Sequence, residues 1–151
     1  MTKSRWDTPP WTRGVDRFAS ELLGVGVQTG SRVAMALLNG VDIVVGFLAC
    51  MRLGAIWVGI NPKLGVSEQH FKLGDSGAAV ALVLPGSPIL RSLPESDCQI
   101  IAVDEEFARS VAAQPLRTAI RAAVDPHAPA AISYTSGTTG RPKGGCTVST
   151  T

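Results

Sequence analysis

Cysteine and histidine are scarce in this chain, and long basic runs, apolar leaders and unbroken hydrophobic stretches are missing altogether. Cys50, Cys98 and Cys146 stand far apart with no C-x-x-C pair, and the only histidines are His70 and His127. An odd, scattered set of thiols offers no disulfide framework, and two isolated imidazoles offer no zinc site. Ten arginines and four lysines are dispersed among twelve acids for a net charge of +2, and aromatics are 5% of residues without interleaving with basic ones. That pattern excludes a nucleic-acid track. The first ten residues are polar and broken by prolines, so no secretory signal is read there and a cytoplasmic setting is expected. Residues 33–60 are mostly apolar, but Asn39-Gly40, Asp42 and Arg52 interrupt them, and no stretch reaches the roughly 20 residues that cross a bilayer.

What is present is an apolar chain cut into short pieces. With 151 residues it has the size of one domain, and 45% hydrophobic against 17% charged residues is more apolar than that size requires. The excess implies further surface to be covered. The periodicity predicts a helix over 12–23, with Val15, Phe18, Ala19 and Leu22 on one face, ending near Gly24. It then predicts a strand over 33–37, a buried helix over 41–53 and a strand over 56–60 closed by Asn61-Pro62. A short helix over 67–73 capped by Ser67 follows, then strands over 79–84 and 99–103, helical residues within 105–124 broken near Pro115, and a fifth strand over 130–134. Cys50 and Trp57 are expected in the core, and Trp6 and Trp11 near a loosely packed terminus. Short apolar strands alternating with helices predict an α/β fold, a largely parallel sheet flanked by helices. Ligands in such a sheet sit beyond the carboxyl ends of the strands.

The last predicted strand runs straight into Thr135-Ser136-Gly137-Thr138-Thr139-Gly140-Arg141-Pro142-Lys143-Gly144. Glycines at 137, 140 and 144 let the backbone approach a ligand and turn its N–H groups toward an anion. Thr135, Ser136, Thr138 and Thr139 each add a hydroxyl donor, Lys143 adds a positive charge, and Pro142 stiffens the approach to it. The lysine follows a proline and precedes a glycine, so the loop is not G-x-x-x-x-G-K-[ST] and the Walker-type reading fails. A plain surface turn would not need this combination.

The run from Tyr134 to Gly144, Tyr-Thr-Ser-Gly-Thr-Thr-Gly-Arg-Pro-Lys-Gly, resembles the AMP-binding signature of the adenylate-forming superfamily, which includes acyl-CoA synthetases, luciferases and peptide-synthetase adenylation domains. Upstream, Leu23-Gly-Val-Gly-Val-Gln-Thr-Gly-Ser-Arg-Val-Ala34 is similar to the family's LG…GDRVA segment, with Ser31 where an acid is usual. Asn39-Gly40, residues 48–55, Ile60-Asn61-Pro62 and Asp75-Ser76-Gly77-Ala78 follow in the family's order, and the likeness is greatest to acyl-CoA synthetases. The resemblance implies a two-step ligation, in which a carboxylic acid and magnesium-bound ATP give an acyl-adenylate and pyrophosphate, and a thiol, usually that of coenzyme A, takes the acyl group. It assigns Thr135, Ser136, Gly137, Thr138, Thr139, Gly140 and Lys143 to the loop that embraces the β- and γ-phosphates. It assigns no catalytic nucleophile and no metal ligand to this chain.

The resemblance also defines departures. Residues 12–144 are expected to form a partial N-terminal adenylate-forming subdomain, preceded by a loosely packed 1–11 and followed by 145–151, a polar tail that lacks the family's usual histidine and reads as an arbitrary ending. The adenine pocket, the magnesium-binding glutamate and the C-terminal catalytic lysine of the family have no counterpart here. The expected function is therefore a truncated AMP-dependent ligase that is inactive alone, associating with a complementary fragment or with itself. The alternative is a non-catalytic phosphate-binding module or a regulatory partner of an intact ligase. A sheet ending at its fifth strand is expected to expose an unpaired edge and to limit solubility.

Overall fold

The computed structural model describes residues 10–92, 97–116, 125, 127–135 and 143–148. Helix α1 (Pro10–Gly24) leads into strand β1 (Arg32–Ala36), and the chain then alternates α2 (Val41–Leu53), β2 (Ile56–Gly59), α3 (Val66–Ser76), β3 (Val80–Val83), α4 (Ile89–Ser92), β4 (Gln99–Ala102), α5 (Glu105–Ala113), β5 (Pro129–Thr135) and β6 (Lys143–Val148). The strands form one sheet in the order β4-β3-β1-β2-β5-β6. All neighbours are parallel except β5 and β6, which pair antiparallel.

The direction of each crossover decides which face its helix covers. A parallel crossover is right-handed, so chain segments stepping in opposite directions along the sheet pass over opposite faces. The steps β1→β2 and β4→β5 run one way and carry α2 and α5; β2→β3 and β3→β4 run the other way and carry α3 and α4. The packing follows. Residues of α1, α2 and α5, among them Leu22, Ala49, Cys50 and Phe107, share a core with Val33, Met35, Val80 and Leu82. Leu73 of α3 and Ile89 of α4 share the other core with Ala34, Ala36, Ala81 and Val83. Successive residues of β1 and β3 thus serve alternate faces, as a pleated strand requires.

Val15, Phe18, Ala19 and Leu22 are all buried, on the face their spacing predicts, and Phe18 meets Phe107 edge to face at 5.4 Å. Polar contacts tie α1 to its neighbours. The guanidinium of Arg52 on α2 donates to the buried Asp16 carboxylate, while the Glu21 carboxylate accepts from Ser110 Oγ at 2.8 Å and Gln114 Nε2 at 2.7 Å. Both ends of the α1 contact face are therefore anchored by carboxylates.

Three features depart from the sequence expectation. Ser67 does not cap α3: the helix begins one residue earlier with Gly65 at the cap and no side-chain capping bond. The side chain that does cap is Asp104, which accepts from the Phe107 N–H at 2.9 Å at the start of α5. The sheet does not stop at five strands, because residues 143–148 pair along β5, with a register shift near Pro129. Its segment Lys-Gly-Gly-Cys-Thr-Val lacks apolar alternation, so backbone pairing sets this strand, and periodicity cannot report that. The edge expected to be bare on β5 is thereby occupied. Trp6 and residues 117–124 lie outside the described residues.

Removing the half-buried guanidinium that faces buried Asp16 leaves a carboxylate without compensation. Arg52→Met is expected to destabilise the domain by about 2–4 kcal/mol in urea unfolding, whereas the double variant Asp16→Asn/Arg52→Met recovers part of that loss; an Arg52→Met variant as stable as the parent would contradict this role for the pair.

Candidate functional site

A cavity of about 630 Å³ opens at the carboxyl ends of β1, β2 and β5. Its walls combine Leu37, Leu38, Ile43 and Trp57 with Asn39, Asn61, Lys63 and Lys72, and Ser133 and Tyr134 of β5 close one side. The volume is in the range of small-ligand clefts. Its place is the one expected for ligands of a parallel sheet.

Two local devices shape the walls. Trp57 and Gly59 lie on the same face of β2, and a Cβ on Gly59 would stand 2.4 Å from the indole ring. Only glycine lets the ring lie flat over the strand. Phe47 of α2 also meets the indole, edge to face at 5.6 Å. Trp57 thus packs against the core, as its position in a strand predicts, and lines the cavity as well. Its Nε1 is buried without a hydrogen-bond partner among the described residues. The loop after β2 is shaped by Asn61, whose Oδ1 accepts from the Lys63 N–H at 2.9 Å, and by buried Gln69, whose Nε2 donates to Leu64 O at 2.7 Å. A side chain on α3 thereby fixes the rim that carries Lys63.

The opposite rim is a charged cluster between α3 and β5. Lys72 is buried, pairs with Glu68 at 3.2 Å one turn back, and lies 5.4 Å from the centre of the Tyr134 ring. The Tyr134 hydroxyl donates toward Asp75 Oδ2 at 2.9 Å and Lys72 O at 3.3 Å. Partial burial and the neighbouring Asp75 carboxylate, as bond acceptor and as negative charge, push the phenol up to about 12. Cys50, sealed in the core, is likewise raised to about 12 by burial, which makes it a packing residue with no thiolate to offer.

The loop residues singled out in the sequence divide into two groups. Thr135 is the last residue of β5 and Lys143 the first of β6, and they are cross-strand partners. Ser136, Gly137, Thr138, Thr139 and Gly140 lie outside the described residues, as do Arg141 and Pro142. Thr135 and Lys143, the residues that flank this segment, meet immediately beyond Ser133 and Tyr134 on the cavity wall. Lys63, Lys72, Gln69 and Trp57 were not legible as site residues. Lys72 is buried in α3 together with Gln69 and Ser76, and that burial is visible only in the folded chain. Among the described residues no group of three or more His, Cys, Asp or Glu side chains comes together as a metal site. Nor is any helix among them long and apolar enough to cross a membrane.

Comparison with known proteins adds kinship to this geometry. The family model for "AMP-binding enzyme" matches residues 12–149. Surfactin synthase subunit 3 of Bacillus subtilis is 33% identical over 133 residues, covering 87% of this chain and 10% of that protein. Long-chain-fatty-acid–CoA ligase FadD13 of Mycobacterium tuberculosis is 34% identical over 136 residues, covering 85% of this chain and 27% of that protein. The inhibitor-bound crystal structure of the N-terminal domain of FACL13 from Mycobacterium tuberculosis superposes with a TM-score of 0.82 at 28% identity, over 91% of this chain and 36% of that one. The chain thus spans about a quarter of the CoA ligase's length and a tenth of the surfactin synthase subunit's.

Tyr134 is the only tyrosine in the sequence, so the tyrosinate absorbance of the whole chain reports it alone. Its folded value lies above the ordinary 10, so the stability it contributes is complete below pH 10 and is lost as pH rises toward 12. Spectrophotometric titration of the folded chain is expected to find a midpoint near 12, and Asp75→Asn to lower it. A midpoint at the ordinary value in the folded chain would refute the assignment.

Proposed function

Since the chain belongs to the AMP-binding enzyme family, we propose that it is the portion of an AMP-forming acid–thiol ligase, similar to an acyl-CoA synthetase, that grips the phosphates of ATP during carboxylate adenylation. The observation that supports this reading is that Thr135 and Lys143, which flank residues 136–142, are cross-strand partners directly after Ser133 and Tyr134 on the wall of a cavity that buried Lys72 also lines. An anion at the mouth would meet the hydroxyls of Thr135, Ser136, Thr138 and Thr139, the amides made accessible by Gly137 and Gly140, and the ammonium of Lys143. These groups bind and orient the β- and γ-phosphates so that the carboxylate can approach the α-phosphorus in line, and pyrophosphate leaves. None of them forms a covalent bond. Magnesium accompanies ATP and neutralises phosphate charge when bound; it is assigned to none of the described side chains.

The acceptor in this proposal is the thiol of coenzyme A, and the acid a fatty acid, activated in the cytoplasm. Its support is the 34% identity to long-chain-fatty-acid–CoA ligase FadD13 and the likeness to the FACL13 domain. A complementary polypeptide would supply the remaining groups. An apolar surface on α2, where Val41 is 77% and Val44 55% exposed, with Leu38 beside it at 54%, is consistent with such a partner.

Binding to the chain alone should be weak, because much of the nucleotide would remain in water. Amide shifts at Gly137 and Gly140 on titration with ATP are expected, with the affinity falling about tenfold in Lys143→Ala. No carboxylate-dependent ATP–pyrophosphate exchange is expected from the chain by itself. Robust exchange without a partner, or an ATP response that ignores Lys143, would defeat the proposal.

A further inference from the structure

The β5–β6 hairpin reaches past the strand that supports it. β5 is in register with β2 only at Ala131, Ile132 and Ser133, and beyond Ser133 its partners are Gly144 and Lys143 of β6. Among the described residues, Tyr134 and Thr135 therefore have no partner in the parallel sheet, although a ligand-holding loop would need a fixed point of departure. Among the described residues the tip is tied to the body of the domain through the side chain of Tyr134. Its hydroxyl donates toward Asp75 Oδ2 at 2.9 Å and Lys72 O at 3.3 Å, both in the last turns of α3, and its ring lies beside the Lys72 ammonium.

The far side of this contact is itself well held. Lys72 is buried and paired with Glu68, and buried Ser76 donates to Leu73 O at 3.1 Å. Immediately after Asp75 and Ser76 the helix is closed by Gly77, whose positive φ of 59° gives the left-handed turn that sends the chain into β3. β3 in turn pairs with central β1. A tie to the end of α3 is thus a tie to the middle of the sheet.

We infer that Tyr134 is a positioning residue, a latch that fastens the tip of the β5–β6 hairpin to the C-terminal end of α3 and so fixes the point from which the phosphate-holding loop departs. The latch itself stands on the contacts above; its consequence for ligands rests on the reading of residues 136–142 as a phosphate loop. Asp75 is exposed, so the bond contributes what one hydrogen bond contributes and leaves the domain's global stability nearly unchanged.

The test is amide hydrogen exchange on the isotopically labelled full chain, with and without inorganic tripolyphosphate. Tyr134→Phe and Asp75→Ala are each expected to speed exchange at residues 134 and 144 by about fivefold, while β1 amides keep their rates. The double variant should be no faster than either single one, and Asp75→Asn, whose amide oxygen still accepts, should restore most of the protection. If Tyr134→Phe does not fold, the Asp75→Ala and Asp75→Asn pair makes the same comparison. Unchanged exchange at the tip, or an equal loss across the whole sheet, overturns the latch. Weaker tripolyphosphate binding in Tyr134→Phe supports both the latch and its functional consequence. Equal binding by the variant and the parent, with the tip freed, overturns that consequence. No response to tripolyphosphate in the parent, with the tip freed in the variant, overturns the phosphate reading and leaves the latch standing.

Discussion

β1 is hydrogen-bonded to β2 along one edge and to β3 along the other, and both of its faces are covered, so each side chain from Val33 to Ala36 has to suit a closed space. Val33 and Met35 point to the α1, α2 and α5 side, Ala34 and Ala36 to the α3 and α4 side. On the α3 and α4 side, Lys72 and Asp75 of α3 come within reach of Tyr134 of β5. Burial on both faces also explains why β1 and β3 read as unbroken apolar runs.

From this frame the site follows by simple rules of parallel sheets. All five parallel strands end on the same side, and the loops that leave β1 and β2 and the end of β5 surround one cavity there. Each wall is fixed by a different device: a glycine that admits an indole, an asparagine and a glutamine that shape a loop, and a buried lysine held by a carboxylate. Apart from the Asn61 turn, these contacts are made by side chains of α2 and α3, the two helices flanking β2 in sequence. A rim prepared in this way loses little entropy on meeting a ligand.

Much of this was legible from residue order. The helical face of α1 followed from Val15, Phe18, Ala19 and Leu22; α2 began and ended where its apolar run does; and the parallel class followed from alternation. The family was legible in the run from Tyr134 to Gly144, and the matching family model extends over residues 12–149. What stayed hidden has physical reasons. α4 is a single turn of Ile89–Ser92, too short to show a period, and β6 is set by pairing with a distant strand. Ser67 carries the right side chain for a cap, but the packing of α3 starts the helix at Val66. The cavity's lysines and Gln69 belong to helices and loops that look ordinary until the chain closes on itself.

The partner of residue 57 across the sheet is residue 131, and α3, β3, α4, β4 and α5 all intervene between them. During folding, β2 can join β1 early through a short connection, but its other edge must wait for most of the remaining chain to close a large loop, at an entropic cost that local pairs do not bear. An intermediate built of β1 to β4 would present that edge to solvent, open to strands of neighbouring molecules. The arrival of β5 and β6 is thus also the step that takes the edge of β2 away from solvent during assembly.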